Sequence, residues 1–119
     1  MKISGTVQKH KGRGKKLGFP TANIQIDEKI EDGIYISTVG PAQLPGLVFI
    51  GAAETFGERK RWAEVHILDF DADIYGQIIE VELIKKIREN RKFDSQKELV
   101  LQMKNDEAVA RNFFGAKGD

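Results

Sequence analysis

The sequence predicts a mainly β protein, a small closed antiparallel barrel of five or six strands followed by one C-terminal α-helix. Three observations carry this prediction. Apolar and polar residues alternate with a period of two from Ile3 to Leu83. Clusters of Gly, Pro, Asp and Asn interrupt that alternation at short intervals, which suits antiparallel strands better than βαβ units. After Phe93 the pattern becomes helical. Closure is expected because it removes exposed strand edges.

The elements follow in order. Ile3, Gly5 and Val7 alternate with polar residues and open the barrel. Pro20 fixes its own φ and pushes Phe19 toward an extended conformation, so Thr21 and Asn23 share a face if a strand continues through Ile24. Ile34 to Val39 and Leu47 to Ile50 are rich in β-formers. They are bounded by Glu31-Asp32-Gly33 and Gly40-Pro41-Ala42. Ala63, Val65 and Ile67 alternate with Trp62, Glu64 and His66; after Asp71-Ala72-Asp73, Ile79, Val81 and Leu83 alternate with Glu80 and Glu82. Asp94 or Ser95 can cap the helix, and Ser95-Gln96-Lys97-Glu98 reads as a capping box. Leu99, Met103, Ala110 and Phe113 or Phe114 follow one face. Asp106 falls on that stripe, where a carboxylate needs a partner the sequence does not name. The tail from Gly115 to Asp119 is expected to fray.

With 119 residues the chain is read as a single domain, 1–119, large enough for a real core. Nineteen Lys and Arg face 18 Asp and Glu, a net charge of +1, so no nucleic-acid or membrane partner is expected. The absence of cysteine excludes disulfides, thiolate catalysis and cysteine-ligated zinc. The N-terminus lacks an apolar leader region and no run approaches membrane-span length, so a soluble, cytoplasmic protein is expected; it is separately read as a monomer.

Three clusters carry possible chemistry. Thr21 and Asn23 would set a hydroxyl beside an amide carbonyl, oxygen ligands suited to Mg²⁺ alongside substrate phosphates; the segment fits a strand start with turn hydrogen bonds equally well. The preceding loop, Gly12-Arg13-Gly14-Lys15-Lys16-Leu17-Gly18, is neither a Rossmann fingerprint nor a Walker loop, since its last glycine is one position late and Gly14-Lys15 lacks the following Ser or Thr. It remains a basic glycine loop whose N–H groups can approach phosphate, or else a solvated hairpin loop. In the second cluster, strand alternation puts Glu64 and His66 on one face, where a carboxylate can act as general base toward a hydroxyl; spacing alone favours a solvent-facing strand. The third, Ile87 to Phe93, is read as a connector that gathers cations and an aromatic ring, fitted to an anionic or flat ligand or to no ligand.

Taken together these motifs resemble the ATP-dependent riboflavin kinases of the bacterial and eukaryotic type. The resemblance runs from Ile3 to Phe114 through Gly5-x-Val7, Gly14-x-x-Leu17-Gly18-Phe19-Pro20-Thr21-Ala22-Asn23 and Gly33-Ile34-Tyr35. It continues through Ile50-Gly51 with Thr55-Phe56, Glu64 to Phe70, Asp73-Ile74-Tyr75-Gly76 and Arg88 to Phe93. It implies a six-stranded Greek-key barrel that forms FMN and ADP from riboflavin and ATP. It further implies that Thr21 and Asn23 hold Mg²⁺, with Zn²⁺ or Mn²⁺ as substitutes, and that Gly12, Gly14, Lys15, Thr21, Asp69 and Tyr75 serve the nucleotide. Glu64 would be the base for the ribityl 5′-hydroxyl, and Arg88, Arg91 and Phe93 would enclose the flavin.

Some positions depart from the family pattern. Lys15 replaces an Arg, Glu54 stands in place of a proline, and Glu89-Asn90 replaces Pro-Glu. The adenylyltransferase domain of many bacterial relatives is absent from this sequence, which reads as a stand-alone kinase or the second half of a longer enzyme. The competing class is a catalytically silent flavin- or nucleotide-binding barrel acting as sensor or carrier, and a weaker one is a protein–protein adaptor.

Overall fold

The computed structural model describes residues 1–8, 22–26, 29–55, 58–70 and 74–118, excluding the side chains of 52–55, 58–60 and 116–118. The described strands are β1 (Lys2–Thr6), β2 (Ala22–Ile26), β3 (Gly33–Val39), β4 (Leu44–Thr55), β5 (Glu58–Ile67) and β6 (Ile78–Arg88), followed by one helix, α1 (Gln96–Gly118). All pairings are antiparallel, in the order β1-β6-β3-β4-β5-β2. Strands β3, β4 and β5 form a meander, and β6 returns beside β3 to make the Greek key. The two outer members of that order then meet. Gln8 bridges Asn23, its N–H donating to the Asn23 carbonyl at 2.8 Å, and Gly5 lies so close to Ile24 that any Cβ would overlap the Ile24 side chain. The result is a nearly closed barrel.

Period-two alternation sorts the residues into two apolar groups. Ile3, Ile24, Val48, Ile50, Ala63, Val65, Val81 and their neighbours fill the interior. The runs in β3 and β4 are apolar on consecutive residues because both of their faces are covered, as in strands buried on two sides. Ile34, Ile36 and Leu47 therefore form a second cluster on the outside, with Phe49 packed against it. Ala110, Phe113 and Phe114 of α1 close over that cluster. The helix stripe expected from sequence is the docking face, with Met103, Asp106 and Ala110 buried.

Three details differ from expectation. Strand β6 runs to Arg88, past two register shifts against β3, so Ile87 and Arg88 belong to the strand rather than to a connector. The β4–β5 pairing extends to Thr55 and Glu58, well beyond the apolar alternation, because backbone pairing continues where side-chain patterning has stopped. Helix α1 continues through Gly115 to Gly118, where fraying was expected; no proline stops it, and a glycine costs only about 1 kcal/mol in a helix. At its start the Ser95 hydroxyl accepts the Glu98 N–H at 3.2 Å, as a capping box requires. The Glu98 carboxylate reaches one residue further back, accepting the Asp94 N–H at 3.1 Å.

Candidate active site

One row of residues crosses five strands on the outer face of the barrel. Asn23 of β2 is paired with Glu64 of β5, Glu64 with Phe49 of β4, Phe49 with Ile34 of β3, and Ile34 with Arg88 of β6. Directly opposed residues in antiparallel strands project to the same side, with Cβ atoms about 4.5–5.5 Å apart. Strand pairing thus sets a carboxylate beside an amide at one end and a guanidinium at the other, with an aromatic floor between them. Helix α1 covers the Ile34 part of this row and not its Asn23 end, since its apolar contacts are with β3, β4 and Leu68.

Asn23 is the most informative member. It is 2% exposed, yet its Oδ1 finds no hydrogen-bond partner among the described residues. An unsatisfied buried carbonyl costs about 1–3 kcal/mol and calls for an explanation. A hard cation accepts a neutral oxygen donor of this kind, so the side chain fits Mg²⁺. Its expected co-ligand Thr21 lies outside the described residues, as do Gly12, Gly14 and Lys15. No group of three or more His, Cys, Asp or Glu side chains that could hold a metal occurs among the described residues.

At the other end, Arg88 is fully engaged. Its Nε and Nη2 donate to the two Asp106 oxygens at 2.7 and 2.6 Å, and its Nη1 donates to the Glu89 carbonyl at 3.0 Å. Asp106 is 1% exposed, so Arg88 is the partner that the buried carboxylate required. Beyond the strand, the Arg91 guanidinium lies 4.9 Å from the Phe93 ring centroid. Asn90 donates to the Ile50 carbonyl at 3.0 Å, which ties the segment after β6 to β4. Glu89 joins Glu31 on Lys86, and both carboxylates raise the lysine pKa above its ordinary value.

Asp69 and Tyr75 flank residues 71–73, which lie outside the described residues. Tyr75 packs against the barrel core. Asp69 has φ 56° at the turn after β5 and accepts two hydrogen bonds from Arg111 of α1, both 2.9 Å. The Arg111 guanidinium holds this carboxyl below the usual Asp range. Sequence reasoning missed Arg111 and also Gln102, which lies between Asp106 and Arg91. Asp106 on an apolar stripe was the only signal that a charged network lay on this helix.

Comparison with known proteins shows the family. Residues 1–114 match the Flavokinase family, described as riboflavin kinase. The chain belongs to the riboflavin kinase family. It is 41% identical over 118 residues to the bifunctional riboflavin kinase/FMN adenylyltransferase of Escherichia coli K12, covering 95% of this chain and 38% of that protein. It is 43% identical over 118 residues to the RNA-binding riboflavin kinase RibR of Bacillus subtilis, covering 93% of this chain and 50% of that one. The chain thus spans half or less of these relatives' lengths. Riboflavin kinase from Trypanosoma brucei shares the fold, with a TM-score of 0.68 at 24% identity over 98% of this chain and 80% of the other. No helix among the described residues is long and apolar enough to cross a membrane.

Proposed function

We propose that the protein transfers the γ-phosphate of ATP to the ribityl 5′-hydroxyl of riboflavin, giving FMN and ADP. The observation that carries this reading is the pairing of Asn23 with Glu64, which sets a candidate metal ligand beside a candidate base. Family membership supports the substrate pair. The layout of the row supports it as well, because riboflavin joins a polyol to a flat ring. The polyol suits the Glu64 end, and the ring suits Phe49 and the segment carrying Arg91 and Phe93.

Glu64 accepts the 5′-hydroxyl proton as that oxygen bonds to the γ-phosphorus, while the bond from phosphorus to the bridging oxygen of ADP breaks. No covalent enzyme intermediate is needed, since phosphoryl transfer asks mainly for positioning and charge neutralisation. Thr21 and Asn23 are the residues that would hold Mg²⁺, which supplies charge neutralisation to the ATP phosphates when bound. The glycine loop with Gly12, Gly14 and Lys15, together with Asp69 and Tyr75, is assigned to the nucleotide side. Arg91 and Phe93 are assigned to the flavin. Arg88, committed to Asp106, acts by shaping the wall that carries them.

The reading is tested by incubating the protein with riboflavin, ATP and Mg²⁺ and separating the flavins by chromatography. FMN with ATP consumption only when riboflavin is present is the expected result. Flavin binding without FMN would mean a silent flavin-binding barrel instead.

A further inference from the structure

The end of β6 and the segment after it are pinned to one face of α1 at two points, Arg88 through Asp106 and Arg91 through Gln102. Gln102 joins the two points, because its Nε2 donates to Asp106 Oδ1 at 3.0 Å and its Oε1 accepts from Arg91 Nη1 at 3.1 Å. A carboxylate only accepts and a guanidinium only donates, so the amide has a single workable orientation between them. Asp106 in turn is buried and held by both Arg88 bonds. A continuous path therefore runs from the last residue of β6, across one turn of the helix, to the guanidinium lying on Phe93.

We propose that Gln102 is a positioning residue for riboflavin, fixing the Arg91 guanidinium against Phe93 so that the flavin ring meets a preformed planar surface. This inference rests on the reading of the protein as a riboflavin kinase. Arg91 is exposed, and an unanchored exposed arginine would have to be ordered at each binding event. Anchored by Gln102, its guanidinium already lies over an aromatic ring, 4.9 Å from the centroid, and a flat ligand can add to that contact. Leucine at 102 would keep the bulk and remove both bonds. Glutamate is not a conservative replacement, because it would set a second carboxylate against buried Asp106, 3.0 Å from the present amide nitrogen. Neither change touches the Asn23 end of the row, where ATP is assigned.

The test is a double-mutant cycle on steady-state FMN formation by wild type, Gln102→Leu, Arg91→Ala and the double variant, with KM measured separately for riboflavin and ATP. Gln102→Leu is expected to raise the riboflavin KM about tenfold, the scale of one lost charge-assisted hydrogen bond. The ATP KM should stay constant, and the double variant should be no worse than Arg91→Ala alone. Leu101→Ala, on the exposed side of the same turn, should leave the riboflavin KM unmoved. A merely structural role for Gln102 would shift both KM values together and add to the effect of Arg91→Ala, and that result would overturn the inference. An unchanged riboflavin KM in Gln102→Leu would overturn it too while leaving the kinase reading intact. A wild type that forms no FMN would remove both.

Discussion

Two buried polar residues, Asp106 and Asn23, differ in how fully the protein satisfies them. Asp106 has every partner that a buried carboxylate needs, from Arg88 and Gln102. Breaking such a pair from one side leaves an uncompensated charge, so Asp106→Ala should lower unfolding stability by about 3–5 kcal/mol, read from chemical denaturation. Asn23 is the opposite case, with a buried Oδ1 that no described residue satisfies. If that oxygen is kept for a metal, its desolvation is a standing cost in metal-free protein. Asn23→Leu should then melt in EDTA at or above the wild-type midpoint and lose Mg²⁺-dependent FMN formation. A clear drop in the EDTA midpoint would mean that Asn23 is structural.

At the level of elements, α1 does more than cover apolar surface, since Arg111 also ties it to the turn after β5. The Asp69 carboxyl has a pKa below its ordinary 3.8 in the folded protein because of Arg111. A depressed folded pKa contributes stability that is complete above the unfolded value and is lost as pH falls through the folded one. The gap in urea midpoint between wild type and Arg111→Ala should therefore be constant near neutrality and close as pH drops below that of an ordinary Asp. A gap that stayed constant into acid would show that this pair does not contribute to docking. Much of this architecture was legible in the sequence. Alternation in Ala63, Val65 and Ile67 follows from a barrel interior, and the stripe from Met103 to Ala110 follows from helix docking. The two-sided burial of Ile34, Ile36 and Leu47 was readable only as β-rich sequence, because what covers the outer face comes from residues far along the chain. For the same reason no local pattern placed Asn23 opposite Glu64 or named Arg88 as the partner of Asp106. Both depend on register between distant segments. The bulges in β6 and the length of the β4–β5 ribbon are backbone features with no hydrophobic signature.

For the whole molecule, the barrel interior is one apolar core, and its outer surface carries both the helix-docking cluster and the proposed site. The interior group from Ile3 to Leu83 and the row from Asn23 to Arg88 occupy opposite faces of the same strands. Within the row, Ile34 and Arg88 also carry helix docking, so only substitutions at the Glu64 end can alter turnover without loosening α1. Glu64 and Asn23, paired across β5 and β2, are proposed to form one phosphoryl-transfer site. That proposal is tested most directly by comparing FMN formation in Glu64→Gln with wild type, with riboflavin binding followed by flavin fluorescence in both. Riboflavin binding should persist while kcat falls by about 10²- to 10⁴-fold, the range for removal of a general base. Near-normal turnover in Glu64→Gln would contradict it.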